Sequence, residues 1–150
     1  MAEKPFNVLL VENDARDADR LARTFSAVRV ADLQTVDSVE QAVSYLSGRE
    51  RYADRSAYPM PNLILINLAV SRRSDFKLLR WLRGQPELRR IPVVVLASAR
   101  QPIGFDKAFD LGAASYLVKP IEPEALRSMT QAVIEFWRLD DRHRDRQGKG

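Results

Sequence analysis

Cysteine is absent from the 150 residues, which excludes disulfides, thiolate metal sites and a cysteine nucleophile. Histidine occurs once, as His143 in a charged stretch, so neither a His-rich metal site nor a Ser-His-Asp triad can be assembled. No apolar run approaches the ~20 residues that span a bilayer. The opening MAEKPFNVLL is interrupted too early for a signal peptide, so a cytoplasmic location without membrane contact is expected. The GxGxxG and Walker loops of nucleotide-binding folds are missing too. With so little to build a reaction centre from, no enzyme activity is expected and no catalytic residue is assigned.

What is present describes an ordinary globular protein. Apolar residues make up 45% and charged residues 29%, a balance that suits one domain with a buried core. The net charge of +4 and a pI near 9.7 raise nucleic acid as a partner. The arginines, however, are interspersed with acids, as in DARDADRLAR and DDRHRDR. That pattern reads as a solvated mixed-charge surface, and nucleic acid is not expected.

Four short apolar runs punctuate the chain: FNVLLV (6–11), NLILINL (62–68), IPVVVLA (91–97) and ASYLVK (114–119). Three are rich in Val, Ile and Leu without alternation, as in strands covered on both faces of a parallel sheet. VRVADLQTV (28–36) alternates enough to be a strand nearer the edge. Amphipathic stretches separate the runs. Leu21, Phe25 and Val28 mark the first, and Val39, Ala42, Val43 and Leu46 the second. Phe76, Leu79 and Leu82 mark the third, and Leu126, Met129, Val133 and Phe136 the last. RQPIGFDKAFDLG supplies a shorter fourth helix, with Gly112 placed as its stop. Five β-α repeats imply an α/β fold with a parallel sheet and helices on both faces. The long connection 47–61 carries surface residues and two tyrosines that should pack down locally. Residues 1–139 form the expected single domain; 140–150 are polar and expected to fray.

In such a sheet ligands sit outside the carboxyl ends of the strands. The residues leaving the runs there are Glu12, Asn13 and Asp14, then Asn67, then Ala97-Ser98, then Tyr116, Lys119 and Pro120. Together with VLLVEND, NLILINL, ELRRIPVVVLAS and LGAASYLVKPIEPEAL, this arrangement resembles the receiver domain of two-component response regulators. The resemblance spans roughly residues 5 to 138. The long loop containing GRERYAD and the segment PELRRIPVVVL are similar to single-domain receivers associated with phytochrome-type histidine kinases. It implies a flavodoxin-like (βα)5 doubly wound fold with strand order 2-1-3-4-5. It also implies a histidine kinase or other signalling protein as partner, and a homodimer through the helix 4–strand 5–helix 5 face.

The family's chemistry requires an acidic pair that holds Mg²⁺, an acceptor aspartate, a hydroxyl and a lysine for phosphoryl oxygens, and a switch aromatic. By that resemblance Glu12 matches the first acid, Lys119 the lysine and Tyr116 the aromatic. Asn13 stands for the second acid, Asn67 for the acceptor and, counting from Pro92, Ala97 for the hydroxyl residue. A carboxamide carries no negative charge and cannot form an acyl phosphate. Two unit charges ~4 Å apart interact by roughly 4 kcal/mol at an effective dielectric of ~20, so removing two carboxylates relieves much repulsion. The expectation is a degenerate pseudo-receiver without a further module or cofactor, binding Mg²⁺ weakly or not at all. A metal-free Glu12–Asn67–Lys119 network would take the metal's place.

Other roles remain open for several residues. Asp14 caps the first helix or acts at the pocket. Ser98 replaces the missing hydroxyl if the strand slips by one residue. Tyr116 covers the sheet edge or keeps a switch role. Arg72 and Arg73 form a solvated turn or bind an anion. Trp81, Leu82, Phe136 and Trp137 read as core or interface, with Trp137 also a candidate exposed contact. A conventional receiver phosphorylated on Asp14 or Asp75, and a nucleic-acid-binding adaptor, are the competing functions.

Overall fold

The structure is a computed structural model that describes residues 6–12, 15–26, 31–68, 73–98, 105–120 and 122–148. In chain order it runs β1 Phe6–Val11, α1 Ala15–Ser26, β2 Ala31–Val36, α2 Val39–Ser47, a 3-10 turn Glu50–Ala53 and β3 Leu63–Leu68. Then follow α3 Arg73–Arg83, β4 Val93–Ser98, α4 Phe105–Asp110, β5 Ser115–Lys119 and α5 Pro123–Gly148. All strand pairs are parallel, in the order β2-β1-β3-β4-β5. The expected flavodoxin-like arrangement is therefore present. The alternating run 28–36 supplies the edge strand β2.

The unbroken apolar runs are explained by burial on both faces. Leu9, Val11, Ile64, Ile66, Val93 and Val95 point to one cluster, with α2, α3 and α4 above them. Val8, Leu10, Leu63, Leu65, Val94 and Leu96 point to the other, under α1 and α5. Alternation along each strand feeds both layers, so no position in β1, β3 or β4 can be polar without a partner.

Helix ends follow local chemistry. Ser38 caps α2 by accepting the Gln41 N–H at 3.0 Å, and the Gln41 side chain accepts the Asp37 N–H at 2.8 Å. Gly48 closes the same helix at φ 67°. At the end of α4, Gly112 adopts φ 101° while Ala113 N–H returns to the Ala108 carbonyl at 3.0 Å. Positive φ at both sites is why glycine stands there.

The long connection packs down as expected. Tyr52 is buried, and Tyr45, Tyr52 and Tyr58 form a cluster with ring centroids 4.9 to 6.0 Å apart. The Tyr45 hydroxyl donates to the Pro59 carbonyl at 2.8 Å. Burial pushes the Tyr45 phenol up to about 12, and Arg55 alongside only partly offsets this.

One expectation is corrected in α5. Phe136 does not join the core: it is 61% exposed, while Leu126, Thr130 and Ile134 are buried and Trp137 packs against their cluster. At about 100° per residue, Phe136 lies about 80° from Leu126 whereas Trp137 lies within about 20°. The helical backbone of α5 is described to Gly148. Opposite charges at helical spacing, Asp140/Arg144 and Asp141/Arg144, suit a continued helix. Elsewhere the amphipathic expectations hold: Leu21, Ala42, Leu46, Phe76, Leu79 and Leu82 are buried. Val28 and the Phe25 side chain lie outside the described residues.

Candidate functional site

β1 delivers Glu12 to the carboxyl edge of the sheet. Its N–H donates to the Val36 carbonyl at 2.9 Å, which carries the β1–β2 ladder one residue past the strand. The residue is only 3% exposed, so a carboxylate sits within the protein at the point where strands give way to loops. Burial of such a group requires compensating polar contacts, which marks the position as more than a strand end.

On the neighbouring strand β3, Val11 is level with Ile66, so Asn67 is the next step outward, beside Glu12. Asn67 is level with Leu96, and Leu68 with Ala97. Ala97 is fully buried near the end of β4. Across the next pair, Ala97 is level with Val118 and Ser98 with Lys119. Lys119, the last residue of β5, and Pro120 behind it are half-buried. The fold thus gathers Glu12, Asn67, Ala97 and Lys119 at one edge, although they are up to 107 residues apart in sequence. Tyr116, level with Val95, is half-buried and packs against the α2–α3–α4 cluster.

Asn13, Asp14 and Arg72 lie outside the described residues, as do the side chains of Asn67, Arg73, Asp75 and Ser98. The Glu12–Asn67–Lys119 network and the alternative acceptors fall on those positions.

A response regulator receiver domain model matches residues 8–131. This chain belongs to the response regulator receiver domain family. A probable methanogenesis regulatory protein of Methanothrix harundinacea is 27% identical over 91% of this receiver and 86% of its own length. A response regulator in red light signalling of R. palustris is 30% identical over 88% of this receiver and 93% of that chain, with a TM-score of 0.79. The phosphorylated cyanobacterial phytochrome response regulator RcpA is 27% identical, covering 89% and 94%, with a TM-score of 0.76. The receiver therefore resembles phytochrome response regulators in both sequence and fold, and receivers of this family work in two-component signalling.

The family's Mg²⁺ finds a poor donor set here. Mg²⁺ prefers carboxylate oxygens, and the three positions that would face it carry one carboxylate, Glu12, and two carboxamides, Asn13 and Asn67. Among the described residues no group of three or more His, Cys, Asp or Glu could hold a metal. Nor is any described helix long and apolar enough to cross a membrane.

Sequence reading missed two features, both at the opposite edge of the sheet. One is the Arg55 side chain, which donates to the carbonyls of Tyr45, Leu46 and Tyr58 at 2.9, 3.1 and 3.2 Å. The other is a cavity of about 450 Å³ between the end of α2 and the α3–β4 connection. The arginine's position after a glycine stop was the available signal for the first. The second depends on residues up to 45 positions apart and leaves none.

Proposed function

We propose that this receiver is not phosphorylated at the usual position and signals through protein–protein contact, without enzymatic turnover or a resident metal. The observation that supports this is Asn67 at the carboxyl end of β3, one step beyond the Ile66–Val11 level and beside buried Glu12. The amide nitrogen lone pair is delocalised into its carbonyl, so the side chain offers no nucleophilic carboxylate. Asn13 and Ala97 remove a metal-binding charge and a phosphoryl-binding hydroxyl from the same edge.

The contact surface is the α4–β5–α5 side, where β5 forms an open sheet edge. Phe109 on α4 is 40% exposed, Val118 on β5 49% and Phe136 on α5 61%. Large apolar groups exposed on three adjoining elements suit a second copy of the chain or a partner such as a histidine kinase.

Incubation with acetyl phosphate and Mg²⁺, followed by intact-mass measurement, tests the reading. The wild-type chain and Asn67→Asp alone should gain little or no phosphate. The triple variant Asn13→Asp, Asn67→Asp, Ala97→Thr should be labelled. Efficient labelling of the wild-type chain would overturn the proposal and point to another acidic residue as acceptor.

A further inference from the structure

The carboxyl ends of the helices gather at the amino edge of the sheet, because each helix of a parallel β-α repeat runs back against its strands. The last carbonyls of a helix have no partner within it, and the helix dipole leaves partial negative charge there. Arginine meets those carbonyls at the ends of α2, α3 and α4. Arg55 donates to the Tyr45 and Leu46 carbonyls at 2.9 and 3.1 Å. Arg89 donates through Nε to the Arg83 carbonyl at 3.0 Å. Arg83 donates through Nη1 to the Asp110 carbonyl at 2.6 Å.

The three caps are not equivalent. Arg55 and Arg89 lie in the connection that follows the helix they cap, so each ties a helix to its own loop. Arg83 is the last residue of α3, and Asp110, 27 positions later, is the last residue of α4. This bond joins two successive helices on the same face of the sheet.

The α3 end of the link is firmly seated. Phe76, Leu78, Leu79 and Leu82 are buried, and Gly84 N–H closes the helix on the Arg80 and Trp81 carbonyls at 3.3 and 3.1 Å. The α4 end is lighter. That helix has six residues, and among its described side chains Ala108 is fully buried whereas Phe109 and Asp110 are exposed. A helix of fewer than two turns is not stable by itself, so ties to its surroundings set where it lies. Gly112 and Ala113 N–H groups close its own last turn on the Phe109 and Ala108 carbonyls, both at 3.0 Å. The Arg83 bond reaches that turn from another element, next to Phe109.

We infer that Arg83 is a positioning residue: by binding the Asp110 carbonyl it fixes the end of α4 against α3 and so sets where Phe109 stands in the contact surface. The output rests on the surface proposed above, whereas the link between the helices stands on its own geometry. A charged donor binds a carbonyl more strongly than a neutral one, and the planar guanidinium fixes orientation as well as distance. The surface is thereby held from the amino edge of the sheet, at the end opposite Asn67.

Hydrogen–deuterium exchange and sedimentation velocity on the full chain test the inference with Arg83→Ala, Arg83→Lys and Arg80→Ala, the last an exposed arginine of the same helical turn. In Arg83→Ala, residues 105–113 should exchange at least about threefold faster while β1, β3 and β4 keep wild-type protection. Self-association should weaken in parallel. Arg83→Lys should fall between Arg83→Ala and the wild type, and Arg80→Ala should match the wild type. Unchanged exchange at 105–113 in Arg83→Ala would overturn the inference. So would an equal rise across the core strands, which marks general destabilisation, or the same effect from Arg80→Ala. Faster exchange in α4 with unaltered self-association would overturn the role in the surface. A wild-type chain that stays monomeric would overturn the surface reading instead, and the exchange comparison alone then decides the link between α3 and α4.

Discussion

Arg55 donates to the carbonyl of Tyr45, 2.9 Å away, and its ring-facing guanidinium lies 5.8 Å from the Tyr45 ring centroid. One side chain from the long loop thereby satisfies carbonyls at the end of α2 and holds the tyrosine cluster in place. Charge-assisted bonds to otherwise unsatisfied helix carbonyls are worth more than neutral ones. Arg55→Ala should lower stability by about 2 kcal/mol in urea unfolding. Arg55→Lys should recover little, because an ammonium cannot reproduce the planar fork that reaches three carbonyls.

The buried Tyr45 phenol links stability to alkaline pH. Its folded value of about 12 stands above the ordinary 10.0, so the unfolded chain ionises first. The contribution is complete below about pH 10 and is lost as pH rises towards 12. The urea midpoint of the wild type should therefore fall more steeply over that interval than that of Tyr45→Phe. Parallel curves would count against the burial of this hydroxyl.

The inward face of α5 can be checked directly. Ile134 is fully buried whereas Phe136 is 61% exposed. Ile134→Ala should cost about 2–5 kcal/mol through lost burial and cavity formation. Phe136→Ala should stay within about 0.5 kcal/mol, the range of surface changes. The reverse ranking would restore the stripe suggested by the sequence.

The same exposed ring serves a different measurement. In sedimentation velocity the full chain should show self-association that Val118→Glu and Phe136→Glu each weaken. A charge placed in a desolvated apolar contact is costly. Sedimentation of the variants indistinguishable from wild type would remove this face from consideration.

Metal affinity follows from the donor set. Mg²⁺ binding by the wild-type chain, followed by isothermal titration calorimetry, should be negligible, and Asn13→Asp/Asn67→Asp should raise it at least tenfold. Two added carboxylates beside Glu12 supply the oxygen charge that Mg²⁺ requires.

The sequence carried the plan of the fold and the identity of the groups at the carboxyl edge of its sheet. Unbroken Val, Ile and Leu runs require cover on both faces, so β1, β3 and β4 had to be interior strands, and 28–36 had to lie nearer the edge. Glu12, Asn67, Ala97 and Lys119 were legible because strand ends are readable and strand order then brings them together. The direction of a given side chain was harder to read. Leu126, Met129, Val133 and Phe136 recur at helical spacing, yet drift of that spacing around the helix turned Phe136 outward and Trp137 inward. A periodic pattern shows that an apolar stripe exists but not where its last member falls relative to the neighbouring layer.

Sequence alone determined which groups stand at the carboxyl ends of the strands, Glu12, Asn67, Ala97 and Lys119, because residue identity does not depend on where the fold puts it. Only the tertiary structure decided which distant segments meet. Folding brings Leu46 and Ser47 at the end of α2, Met60 ahead of β3, and Trp81 of α3 with residues 85–88 and Ile91 of the α3–β4 connection around one cavity. Contacts between residues up to 45 positions apart exist only once the sheet has set the spacing of the helices packed on it.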